Sequence, residues 1–387
     1  MNKKVFFCGV ATGIISSVVA VAGVNFSANA ADVRSSRFSI EDKIDYITNL
    51  MYKNYVDELD VEALETGVYR GLVEGLGDPY AYYYSAEELE EAVLKSNGVF
   101  YGIGVTVQIN QETGKMLVVS VVDESPAEDA GILAGDFIIK VNGESIIGMD
   151  LDSSVALIKG EKGTKVNLTI EREGKEVEIT SKRDEIDVES VAGAILEDNI
   201  GHIYISGFKG NTYDQFMEIY KDMRKENIKG LIIDVRDNPG GMVNTVEKLT
   251  DELIPEGVLV YTIDKDGKRE DFISDAKCID IPLVVLVNEN SASASEILAG
   301  AVQDTGVGVL VGQKTYGKGS VQNLYRIPDG SGVKMTTHKY YTPKGVCIHG
   351  IGIEPDYVVE EDIELLVNEG IDLQLEKAVE IIKEKMQ

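Results

Sequence analysis

The residues best suited to covalent chemistry lie in NENSASASEILAGAVQD (288–304), where Ser291, Ser293 and Ser295 occupy alternate positions. The apolar run PLVVLV (282–287) before them reads as a buried strand, and the apolar spacing after them as a helix. A nucleophile benefits from such a junction, because the free N–H groups of a helix N-terminus favour developing negative charge. The same spacing has a structural reading: Ser293 followed by Glu296 spells a capping box, S-x-x-E. A serine nucleophile also needs a base. None of the three histidines, His202, His338 and His349, lies near the serines in sequence, and no Ser-His-Asp pattern is visible. Lys318, in TYGKGSVQ (315–322), is flanked by Gly317 and Gly319, which let neighbouring chain come close. A lysine acts as base only when neutral. Near pH 7 its pKa must fall from about 10.4 to near 7, through burial or nearby positive charge. The alternative is an ordinary solvated loop lysine. A third segment, DVRDNPGG (234–241), places Asn-Pro-Gly-Gly after a buried run, and its glycine amides either line an oxyanion hole or form a plain turn.

Three regions must hold these residues. Residues 36–97 read as helical, with apolar spacings of three and four in IDYITNLMYKNYV (44–56) and LETGVYRGLVEGL (64–76), a Gly-Asp-Pro break in GDPYAYYYS (77–85), and a further helix in AEELEEAVLKS (86–96). From about Gly98 to Arg183 the texture changes to short β-like runs, with a helix expected over MDLDSSVALIKG (149–160). From 185 onward apolar runs alternate with helical patterns: IGHIYIS (200–206), a helix around 211–226, GLIIDVR (230–236), a helix around 243–253, PLVVLVN (282–288) and VGVLVG (307–312). This alternation predicts an α/β core with a buried sheet. An acidic helix is expected over 361–386, and no internal repeat or low-complexity linker is visible.

The middle region resembles a PDZ domain, through the glycine loop YGIG (101–104), SPAEDAGILAGDFIIKVNGESI (125–146) and a helix before GTKVNLTIER. The resemblance implies that Tyr101, Gly102, Ile103 and Gly104 form the loop whose amides hold a terminal carboxylate while a peptide adds to a sheet edge. The ordered set of NPGG, SASASEI and GKGSVQ, together with LGDPYAYY (76–83), TTHKYYTPKG (336–345), GIGIEPD (350–356) and DLQLEKAVEII (372–382), resembles the C-terminal processing peptidases, or tail-specific proteases. That resemblance implies a crotonase/Clp-protease-like α/β core with an inserted, mainly β PDZ domain and an N-terminal helical segment. The corresponding divisions are residues 36–97, 98–184, 185–359 and 360–387. It further implies a Ser-Lys enzyme without metal or cofactor: Ser293 as nucleophile, Lys318 as base and Gln322 positioning the lysine. Ser291 and Ser295 would hold the turn and the helix start. Oxyanion donors would come from Ala294 and from Gly240 or Gly241. Arg172 is the candidate sensor of a bound peptide. The expected partners are protein or peptide substrates with exposed C-termini and, in this family, often a second copy. Departures from the family pattern are small: Asp237 where asparagine is commoner, and Cys347 and His349 in VCIHGIGIEPD.

The bulk numbers agree. The chain has 387 residues and a net charge of −29, which argues against nucleic acid and anionic membrane surfaces as partners. Three cysteines, Cys8, Cys278 and Cys347, are too few and too scattered for a metal site or disulfide framework. Lys3 and Lys4, the apolar stretch Val5 to Val24, and Ala28 and Ala30 in SANA read as a secretory signal cleaved after Ala30. The stretch is also long enough to serve as an uncleaved anchor attaching the protein to a membrane. Both readings put residues 31–387 outside the cytoplasm. Two rival readings use the same fold: a secreted PDZ scaffold with an inactive protease-like domain, and a crotonase-like acyl-CoA enzyme, which a secretion signal disfavours.

Overall fold

The computed structural model describes residues 39–386, so the expected secretory signal lies outside the described residues. Residues up to Gly67 and residues from Val68 onward form separate units. In the first, α1 (Ile40–Asn54) starts at a reciprocal capping box between Ser39 and Asp42 and buries none of its side chains. Helix α2 (Val61–Glu74) follows. The region is not helical throughout, because Tyr82–Tyr84 forms a strand, β1, before α3 (Ala86–Asn97). Three consecutive tyrosines suit a strand better than a helix, and β1 finds its partner far along the chain, in β18 (Gly332–Tyr341).

The PDZ-like unit is an insertion with a paired entrance and exit. Strand β2 (Val99–Gly102) leads in and pairs antiparallel with β9 (Asp184–Asp187), which leads out. Between them lie β3 (Val105–Ile109), β4 (Met116–Val121), the short α4 (Pro126–Asp129), β5 (Phe137–Val141), β6 (Glu144–Ser145), α5 (Leu151–Ile158), β7 (Lys165–Arg172) and β8 (Lys175–Lys182). The sheet runs β3-β4-β5-β7-β8, with β6 on β5, so β3 is an edge strand. Its core is separate from that of the rest of the chain, and Met116, Val118, Ile138, Leu168 and Ile170 are fully buried in it.

The remaining chain carries β10 (Val191–Leu196), β11 (Ile200–Ile205), α6 (Thr212–Lys225), β12 (Gly230–Asp234), α7 (Val243–Asp251), β13 (Gly257–Asp264), β14 (Arg269–Ser274), β15 (Leu283–Val287), α8 (Ala294–Thr305), β16 (Gly308–Gly312), β17 (Ser320–Arg326), β18, β19 (Tyr357–Val358), α9 (Ile363–Glu369) and α10 (Leu373–Lys385). One sheet runs β10-β11-β12-β15-β16-β19 and is parallel except at the β10–β11 hairpin. Its four central strands, β11, β12, β15 and β16, are buried on both faces, which is why they read as continuous apolar runs, whereas the edge strands β10 and β19 are largely exposed. Alternate residues point opposite ways. Leu231, Ile233, Val285 and Val287 pack with Phe216 of α6 and Ile297, Leu298 and Ala301 of α8. Ile232, Val284 and Leu286 pack with Ala378, Ile381 and Ile382 of α10. A second sheet, β1-β18-β13-β14 with β17 on β18, supplies the other wall of the site. The expected C-terminal helix is two helices: Gly370 ends α9 at φ 71, and the Asp372 carboxylate caps α10.

Candidate active site

The turn between β15 and α8 is tied to the end of β12 by the two flanking serines. Ser291 Oγ donates to the Val235 carbonyl (2.7 Å) and accepts from the Asn288 amide (2.9 Å). Ser295 Oγ donates to the Asn238 carbonyl (2.9 Å). Both are fully buried, in the structural part expected of them. Asp237, at φ 57, joins the same clasp by accepting from the side-chain amides of Asn288 (3.0 Å) and Asn290 (2.8 Å). Held between these ties, Ser293 adopts φ 56 and ψ −112, outside the regions an L-residue ordinarily occupies. Such a conformation costs about 1–3 kcal/mol and persists only where its surroundings enforce it. It turns a serine sharply out of a strand at a helix N-terminus, the geometry of a nucleophile elbow.

In the sequence Glu296 reads only as a helix cap. The structure gives it more. Its side chain is fully buried. One carboxylate oxygen accepts from Ser293 N–H (2.9 Å) and Lys318 N–H (2.8 Å). The other accepts from Thr315 Oγ1 (2.6 Å) and Gly317 N–H (2.8 Å). The Glu296 amide meanwhile donates to the Ser293 carbonyl (2.9 Å). Tyr340, also buried, makes a second tie: its hydroxyl donates to the Ser293 carbonyl (2.9 Å) and contacts the Lys318 carbonyl. Burial pushes the Tyr340 phenol well up, so it stays protonated and a donor. The only sequence signals for these two were the E of S-x-x-E and a tyrosine within TTHKYYTPKG; neither reveals what the side chain reaches across the fold.

Both glycines flanking Lys318 are needed for close approach. A Cβ on Gly317, at φ 91, would stand 2.9 Å from Gly352 N, and one on Gly319 would stand 2.6 Å from His349 N. His349 thus meets the lysine loop through its backbone. The Lys318 side chain is half-buried, and its ammonium lies 4.3 Å from the centre of the Tyr80 ring. Burial pulls its pKa below the ordinary lysine range and Lys334 adds to this, while Asp78 and Glu296 oppose it. Among the described residues no hydrogen bond joins the ammonium to Ser293 or Gln322. Gln322 Nε2 donates to Ser320 Oγ (3.0 Å) and Thr336 Oγ1 (3.1 Å). The GDPY turn reaches the same strand, since the Asp78 carboxylate accepts from Thr336 N–H (3.1 Å).

The oxyanion candidates separate. A Cβ on Gly240, at φ 101, would stand 2.8 Å from Ser293 Cβ, so this backbone lies directly against the serine. Its amide, however, donates to Asn238 Oδ1 (2.8 Å) and is committed there. The amides of Gly241 and Ala294 have no acceptor among the described residues, so both remain available to donate.

In the PDZ-like unit, Tyr101 and Gly102 belong to β2, paired with Glu185 and Asp184, rather than to the loop. Ile103 and Gly104 form the loop itself. Their carbonyls accept from Ala127 N–H (2.8 Å) and Val122 N–H (2.9 Å), while their own amides have no acceptor among the described residues. Arg172 is not brought to Ser293 or Lys318. Its guanidinium donates to both oxygens of buried Asp136 (2.7 Å each) and to the Gly131 carbonyl (2.8 Å).

Residues 199–359 match peptidase family S41, and residues 117–172 match a PDZ domain. The carboxy-terminal processing protease CtpA of Bacillus subtilis (strain 168) is 35% identical over 364 residues, covering 92% of this chain and 77% of that protein. CtpB of the same strain is 35% identical over 338 residues, covering 86% and 70%. A solved structure described as an S41 protease, from Bacteroides fragilis NCTC 9343, shares the fold with a TM-score of 0.52 at 18% identity, covering 88% of this chain and 97% of that one. Together they define a serine peptidase with a PDZ domain. The chain belongs to the carboxy-terminal processing proteases of peptidase family S41.

Proposed function

We propose that the chain is an extracytoplasmic endopeptidase that captures exposed C-terminal tails in its PDZ domain and cleaves peptide bonds with Ser293 as nucleophile, Lys318 as base and Gln322 as support. The observation that carries this reading is the pair of ties, through Glu296 and Tyr340, that holds the backbones of Ser293 and Lys318 together. Neutral Lys318 takes the hydroxyl proton as Ser293 Oγ attacks the peptide carbonyl. For that step its flexible side chain swings from the Tyr80 ring to the serine. The tetrahedral oxyanion is held by the Ala294 and Gly241 amides. Lys318 then gives its proton to the leaving amine, and water releases the acyl group by the same exchange in reverse. The inactive-scaffold alternative needs a solvated, charged Lys318, and half-burial with a lowered pKa runs against it. Placement outside the cytoplasm rests on the signal-like segment 3–30, and N-terminal sequencing of the exported protein separates cleavage after Ala30 from an intact anchor. Peptide hydrolysis by Ser293→Ala and Lys318→Ala tests the dyad: both variants fold and neither cleaves.

A further inference from the structure

Glu296 and Tyr340 are neither reacting groups nor oxyanion donors, yet each touches both reacting segments. A glutamate at the third position of a helix ordinarily serves its own N-cap and faces water. Glu296 is fully buried instead, and three of its four partners (Thr315, Gly317 and Lys318) lie in the loop that carries the base. A carboxylate withdrawn from water is tolerated only when its oxygens are fully hydrogen-bonded, so its position and that of the loop determine each other.

We propose that Glu296 is the positioning residue of the Ser293–Lys318 pair, its carboxylate fastening the lysine loop to the nucleophile turn, with the Tyr340 hydroxyl as the second fastening. The inference rests on the dyad reading given above. No other side chain of similar shape replaces the carboxylate. Glutamine offers one acceptor oxygen, and its NH2 would then face an N–H donor of Gly317 or of Ser293 and Lys318. Aspartate is one methylene too short. Glu296 also contributes charge. The groups facing Lys318 are Lys334 on β18, Asp78 and Tyr80 in the turn before β1, and Glu296 on α8. Glu296 favours the protonated lysine, so its removal moves the lysine towards its neutral form.

The test compares kcat and KM across pH for wild type, Glu296→Gln, Tyr340→Phe and Ser293→Ala on one unstructured substrate, with circular dichroism to confirm folding. In Glu296→Gln, kcat falls about a hundredfold, as expected for a misplaced reacting group, with KM little changed. The acid limb of its kcat/KM profile moves to lower pH. Tyr340→Phe keeps the ring and loses only the tie: kcat falls roughly tenfold, and the limb stays in place because no charge is lost. Wild-type kcat in Glu296→Gln overturns the proposal, as does a loss of kcat with an unmoved acid limb, which a merely structural role would give. Should Glu296→Gln fail to fold, Tyr340→Phe decides, and wild-type kcat there overturns the proposal. Full cleavage by Ser293→Ala would instead remove the dyad itself, a separate failure.

Discussion

Lys318 is pulled in two directions: burial and Lys334 press it towards the neutral amine, whereas Asp78 and Glu296 favour the ammonium. As the proposed base, Lys318 must be neutral, so activity is predicted to rise with pH through the lysine pKa, which lies below that of a solvated lysine. Replacing Lys334 with glutamine removes a repelling positive charge. Lys318 then keeps its proton to higher pH, and the acid limb of kcat/KM moves to higher pH. A pH–rate profile of Lys334→Gln checks this, and an unmoved limb would mean that Lys334 does not act on the base. The types and spacing of Ser293, Lys318, Gly317 and Gly319 were legible because each local pattern has a chemical use. The commitment of the Gly240 amide to Asn238, the reach of Glu296 and the ring of Tyr80 beneath the ammonium were not. They depend on which way one amide points, on a side chain reaching a loop about twenty residues on, and on a ring more than two hundred residues before the lysine.

The C-terminal helix is joined to the Asn-Pro-Gly-Gly turn through Arg236, which follows β12. Its guanidinium donates to Asp234 (2.6 Å) and to Asp372, the N-cap of α10 (3.0 Å), and to Gln374 (3.1 Å). Burial pushes the Asp234 carboxyl up, but His202 and Arg236 outweigh it and hold it below the usual carboxylate range. Its folded-state pKa is therefore depressed. The stability it contributes is present above the unfolded pKa and is lost as pH falls through the folded one. Arg236→Met strands Asp234 in the interior and destabilises the protein by about 3–5 kcal/mol, read as a lowered urea midpoint. A midpoint equal to wild type would show the network to be dispensable. The parallel strands and most helices were legible because burial on both faces, or on one stripe, leaves a periodic trace. Strands β17 and β18 were not. Most of their residues are half-buried or exposed with no alternation, so their sequences carry no period-two signal. The break between α9 and α10 depends on the left-handed conformation of one glycine, which apolar periodicity ignores.

The PDZ-like unit enters and leaves through β2 and β9 and has its own core, so the proposed tail capture and hydrolysis would be carried by separately built parts of one chain. Gly104, at φ 85, has no room for a side chain, since a Cβ would stand 2.4 Å from Ser125 Cβ. Gly104→Val should weaken binding of a C-terminal peptide at least tenfold in fluorescence anisotropy, while hydrolysis of a short peptide without a recognised tail continues at the wild-type rate. Arg172→Ala, which leaves Asp136 buried without its partner, should reduce the stimulation of cleavage by added tail peptide and leave the same basal rate. Unchanged affinity in the first variant and unchanged stimulation in the second would remove the loop and the arginine, respectively, from tail recognition. The most direct measurement of the account as a whole is cleavage of an unstructured protein with an apolar C-terminus by residues 31–387, set beside the folded Ser293→Ala and Lys318→Ala variants. The account predicts cleavage by the unaltered protein and none by either variant; cleavage by folded Lys318→Ala at the wild-type rate would contradict it.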